Sequence, residues 1–146
     1  MNRGLYVVAS DDCVCSVWER IIRTLSIYGT DWVVDCLDCL YETKLKSGFH
    51  STDMLLSEVE DNTYIFSARM IGIPIGQALD RVIISSDDYV ASNCHSIILC
   101  ADGVHFEVFS KYHDLLLQLS NSFTDNEVKS KVWIDDTMCG RSEFTV

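Results

Sequence analysis

The sequence predicts an α+β fold, an antiparallel or mixed sheet with two main helices packed mostly on one face. Three observations lead there. Several β-rich runs are bounded by turn signals, two longer stretches carry apolar residues at three- and four-residue spacing, and the connections between them are short. No repeat or linker divides the 146 residues, so residues 1–146 are expected to form a single globular domain that can bury a core without staples.

Leu5 to Val8 reads as a short buried strand, after which Ser10 offers a helix N-cap with Asp11 and Asp12 in the first turn. Val14, Val17, Trp18, Ile21, Ile22, Leu25 and Tyr28 then fall on one helical stripe that Gly29 ends. Trp32 to Tyr41, with Trp, two Val and a Tyr, favours a strand or bent hairpin arm. Ser51 or Thr52 can cap a short helix through Glu58, and Thr63 to Ile73 is a β-rich run stopped by Pro74. Gly72, Pro74 and Gly76 mark a turn, and Ser86 to Asn93 reads as a short capped helix. Ile97 to Cys100 and Val104 to Phe109 flank Ala101-Asp102-Gly103, a hairpin signal expected in the middle of the sheet. Tyr112, Leu115, Leu116, Leu119 and Phe123 return to helical spacing, while Val128 to Ile134 and Glu143 to Val146 read as closing strands.

The balance of 22 acidic against 11 basic residues, a formal net charge of -11, repels phosphate backbones and anionic lipid surfaces. Nucleic acid and membrane are therefore not expected as partners. Seven cysteines, no signal-peptide pattern at the N-terminus and no apolar run of spanning length point to a cytoplasmic protein with reduced thiols.

Cys13-Val14-Cys15 and Cys36-Leu37-Asp38-Cys39 together hold enough thiols for a tetrahedral zinc site. The spacing argues against it: Cys13 and Cys15 diverge on a helix surface, and Cys36 and Cys39 face opposite sides of a strand. Redox chemistry at Cys36 and Cys39 is opposed by Asp35 and Asp38, whose charge disfavours a thiolate. Cys94 and His95 are adjacent, and in an extended chain they point apart, so one does not activate the other. His50, His105 and His113 form no ligand pair, and no GxGxxG or GxxxxGK[ST] loop is present. Buried structural thiols, no metal and no cofactor are the expectation.

The acid lies in small groups at element ends: Asp11-Asp12, Asp31 with Asp35 and Asp38, Glu58 with Glu60 and Asp61, Asp87-Asp88, Asp125 with Glu127, and Asp135-Asp136. Some of these cap helices and turns. The excess steers a basic partner, and carboxylates can stand in for phosphates on a nuclease's basic active site. Asp87, Asp88, Asp135 and Asp136 are the expected partner-binding residues, because loops at one sheet end can converge; Tyr89 or Trp133 could anchor within that rim.

Ser92-Asn93-Cys94, Ile97 through Val104 and Phe109-Ser110-Lys111, with Arg3-Gly4, Asp31-Trp32 and Asp135-Asp136 to Arg141, resemble a family of small uncharacterised bacterial proteins of unknown function. That likeness transfers no catalytic residue. In size, build and acidity the chain also resembles immunity proteins of bacterial toxin systems, including contact-dependent growth inhibition. This second likeness implies a non-enzymatic protein that covers the active site of a cognate, basic nuclease toxin. The alternative is a small zinc- or thiol-dependent enzyme using some of Cys13, Cys15, Cys36, Cys39, Cys94 and His95.

Overall fold

The computed structural model describes residues 2–39, 45–60 and 65–135. In chain order the elements are β1 (Asn2–Ala9), α1 (Val14–Leu25), β2 (Thr30–Cys39), β3 (Gly48–Ser51), α2 (Thr52–Glu60), β4 (Ile65–Pro74), α3 (Ser86–Ala91), β5 (Ser96–Ala101), β6 (His105–Ser110), α4 (His113–Ser122) and β7 (Val128–Asp135). Among the described residues the strands make one sheet of seven in the order β3-β2-β4-β5-β6-β1-β7. Each neighbouring pair in it is antiparallel.

This corrects the expected architecture. The chain is α+β, but a wide sheet dominates four short helices, and the two-helix, one-faced arrangement is overturned. The reason lies in the strands, where apolar residues occupy both alternating sets. In β4 and β5, Met70, Ile98 and Cys100 point to one core, while Ile71, Ile73, Ile97 and Leu99 point to another. A sheet that is apolar on both faces needs a cover on both.

The first face is closed by α1, α2 and α4. The stripe read from the sequence is the buried side of α1: Val17, Trp18, Ile21, Ile22 and Leu25 pack on Leu5, Val7, Trp32 and Phe106. Trp18 meets the Phe106 ring edge-on at 4.9 Å. Leu115, Leu116 and Leu119 of α4 and Leu55, Leu56 and Val59 of α2 complete this core. Gly72 lies beside Trp32, and a Cβ there would sit 3.1 Å from the indole, so the close approach of β4 to that ring depends on the missing side chain.

The second face is covered by α3 and by the irregular segment from Ile75 to Ser85 that leads into it, here called the strap. Ile83, Tyr89, Cys94 and Leu79 pack against Ile71, Ile73, Ile97, Leu99 and Phe109. α3 is held by a capping box in which the Ser85 hydroxyl accepts from the Asp88 amide and the Asp88 carboxylate accepts from the Ser85 amide.

Local details differ from the sequence expectation. The α1 N-cap is Cys13, whose side chain makes no capping bond, and Asp11 and Asp12 form a turn ahead of the helix. Tyr28 lies past the helix end and is exposed. Ser51 does cap α2, accepting from the Met54 amide at 3.2 Å, but it also ends β3, a strand not anticipated. The β5–β6 hairpin is central as expected, with Asp102 and Gly103 both at positive φ. Tyr41, Asp136 to Arg141 and the expected strand Glu143 to Val146 lie outside the described residues.

Candidate functional site

The acidic residues divide by structural role. Asp31 is buried and accepts the Gly76 amide at 3.0 Å. Glu127 accepts from Arg20 at 2.8 Å and from the Thr124 amide at 3.0 Å; burial would raise its pKa, but these bonds hold it below the usual carboxylate range. Glu19 and Glu60 flank Arg23, Asp11 meets Lys129 and Asp114 accepts from Tyr28. Asp38, Asp53, Asp87, Asp102 and Asp125 are exposed. A fraction of the charge therefore builds the fold, and the remainder faces solvent.

The four residues expected to bind a partner separate on the same basis. Asp87 is exposed in the first turn of α3. Asp88 is the reciprocal partner of Ser85 in the capping box, and the Ser85 and Ile84 amides lower its pKa. Asp135 ends β7 half-buried, opposite Asn2, and interacts within the protein. β7 is the outer strand on one side, with β6 and β1 between it and the β5 strand that follows α3. Asp136 lies outside the described residues. Tyr89 is no exposed anchor: it is buried, donates to the His95 carbonyl at 3.0 Å and lies under the Lys111 ammonium. Trp133 is half-buried against the helix-side core.

The candidate chemistry at Cys94 and His95 resolves into packing. Cys94 faces the strap-side core, where burial pushes its thiol up. His95 lies 3.0 Å from the Thr30 hydroxyl through Nε2 and 2.8 Å from the Ser96 hydroxyl through Nδ1, with the Tyr112 ring beside it. Ser96 donates onward to Ser110 at 2.9 Å, and the Thr30 hydroxyl donates to the Leu25 carbonyl at 3.3 Å. Burial, reinforced by the Lys111 charge, lowers the His95 pKa to about 4, which keeps the ring neutral near pH 7. Burial also pushes Cys100 up to about 12 and raises Cys39, and Cys13 is raised by desolvation and by Asp12. These four thiols are the opposite of activated nucleophiles. Among the described residues no three His, Cys, Asp or Glu side chains converge on a metal position; the Cys36 side chain lies outside them.

The feature that sequence reading passed over is a groove of about 350 Å³ between the sheet and the strap. Its floor is formed by Val33 and Asp35 of β2 and Arg69 and Ile71 of β4, and its wall by residues 79–83. Arg69 crosses it, donating to the Asp35 carboxylate at 2.5 Å and to the Ile83 carbonyl at 2.6 Å. One guanidinium thus ties the strap to two strands. Around this groove apolar side chains are left outside: Val82 is 71% exposed, Ile84 53%, and Phe49, the register partner of Val33, 60%. The available signal was the run Val82-Ile83-Ile84, apolar on both alternating sides while only Ile83 is buried. A second concavity, along α1, is lined by Arg20 and Arg23, whose charges are already met by Glu127, Glu19 and Glu60.

Among the described residues no helix is long and apolar enough to cross a membrane. No curated protein and no solved structure matches the chain. Residues 2–145 match the family described as "Protein of unknown function (DUF2691)", so the chain belongs to that family of uncharacterised proteins.

Proposed function

We propose that this chain is a non-catalytic binding protein of the immunity type, acting in the cytoplasm to neutralise a basic toxin, with a nuclease domain the first candidate, by covering its active site. The observation that carries this reading is the charge of -11, of which Asp38, Asp53, Asp87, Asp102 and Asp125 remain at the surface after internal caps and ion pairs have taken their share. Such a field accelerates capture of a cationic protein, and surface carboxylates compete for the cations that would bind phosphate. Buried, neutral His95 and the raised thiols of Cys13, Cys39, Cys94 and Cys100 favour binding over thiol catalysis.

The test asks whether the reading frame immediately upstream of this chain encodes a secreted protein with a toxin-like C-terminal domain, and takes such a domain as the probe. Co-expression should protect growth, and the purified pair should associate more slowly as salt rises, since surface charges are screened beyond about 8 Å at physiological ionic strength. Unprotected growth and salt-independent association would overturn the proposal.

A further inference from the structure

We propose that the groove between β2, β4 and the strap is filled by a second copy of this chain, in a weak two-fold pair in which each copy sets Val82 and Ile84 into the groove of the other. The proposal goes beyond the toxin-binding reading and does not depend on it.

The shape is self-complementary, with a concavity and an apolar projection side by side. Val82 stands on the groove wall with 71% of its surface exposed, and Ile84, one residue beyond buried Ile83, is 53% exposed. Phe49 continues the apolar rim on β3, because the register partner of Val33 shares that residue's face of the sheet. A two-fold axis carries such a neighbouring knob and hole onto their own counterparts, so each copy closes the other's groove. Val33, Ile71, Leu79 and Ile83 give the groove an apolar lining that suits aliphatic side chains.

The charges on this surface favour a like copy over a charged ligand. The chain carries -11, yet the groove is lined by two carboxylates, Asp35 and Asp80, and two guanidiniums, Arg69 and Arg81. Asp35 and Arg69 are ion-paired within the chain. Asp80 and Arg81 are adjacent and exposed, and a two-fold axis passing near them sets each acid beside the other copy's base. A basic or an acidic ligand finds no excess of opposite charge here, whereas an apolar, locally neutral surface is where two chains of -11 meet with least repulsion.

Arg69, bonded to the Ile83 carbonyl and the Asp35 carboxylate, holds the strap in place before pairing, which removes an ordering cost. Val82, Ile84 and Phe49 make a small contact, of the kind found in transient pairs that bury less than about 1,200 Å² in all. The pair therefore forms as concentration rises, and the strap is open in dilute solution.

The test is sedimentation equilibrium of the full chain at physiological salt, from about 1 μM to about 1 mM protein, the range in which so small a contact dissociates. The mass should rise from 16.5 kDa toward twice that value. Pairing should tighten as added salt screens the two net charges from one another. Concentration-dependent amide shifts should gather at residues 33–35, 49 and 79–84. Val82→Asp, Ile84→Asp and Arg81→Glu, all at exposed positions, should each weaken pairing at least tenfold while the dilute protein unfolds as before. Val132→Asp, which adds the same charge at an exposed position of β7, should leave pairing unchanged.

A mass that stays at 16.5 kDa throughout, a pair that loosens as salt rises, or a pair that survives both Val82→Asp and Ile84→Asp would overturn the proposal. None of these results bears on toxin binding, which growth protection reads separately.

Discussion

The two faces of the sheet are built from the same strands and finish differently. β4 sends Ala68 and Met70 to a core sealed by α1, α2 and α4, and Arg69, Ile71 and Ile73 to a side closed only by α3 and the strap. On the helix side each cover brings a full stripe of aliphatic residues. On the strap side the cover is one six-residue helix and an irregular segment, held by an Arg69 crosslink and a capping box, with apolar residues left over outside. Two apolar faces thus produce one stability core and one surface suited to contact, because cover length rather than strand composition decides how much remains exposed.

The contrast can be broken at several points, beginning with the largest effect. Trp18→Ala on the helix side should cost about 3–5 kcal/mol in a urea unfolding curve, because it empties a packed position against Phe106. Next is His95, whose folded pKa of about 4 lies below the unfolded value of 6.5. The unfolded state then binds the extra proton, so the His95 contribution is complete above pH 6.5 and is lost as pH falls towards 4, a change on the order of 2–3 kcal/mol. His95→Gln should flatten that window of the stability profile and leave the carboxylate-driven loss at lower pH. Arg69→Met should cost about 1–2 kcal/mol and speed hydrogen exchange at residues 79–85 while α1 and α4 keep their protection. Ser85→Ala should cost about 1 kcal/mol and fray α3 alone. Val82→Ser should fall within about 0.5 kcal/mol of no effect, and a larger loss would mean that Val82 belongs to the core.

Sequence periodicity exposed the helix side far better than the strap side. The α1 stripe, the α4 leucines and the Asp102-Gly103 hairpin are local signals, written in three- and four-residue spacing or in turn chemistry. The insertion of β1 between β6 and β7 pairs residues about a hundred positions apart, which no local pattern encodes. Asp11 and Asp12 looked like first-turn acids because nothing in Ser10-Asp11-Asp12-Cys13 distinguishes a helix start from a turn before one. The opposed placement of Cys94 and His95 was legible, since it follows from the alternation of an extended chain. Of the acids expected to meet a partner, Asp88 is one that the fold uses in its capping box, which its neighbours in sequence did not reveal, while Val82 and Ile84 carried no chemical motif to single them out.

The most direct measurement is a hydrogen-exchange footprint of the chain in complex with a cationic toxin domain against which its co-expression protects growth. Added protection should fall on residues 79–85, on the amides around Phe49 and on α3, with the outer surfaces of α1, α2 and α4 unchanged. Protection centred on those helices, with the strap left exchanging as in the free protein, would contradict the assignment of the strap side as the working face.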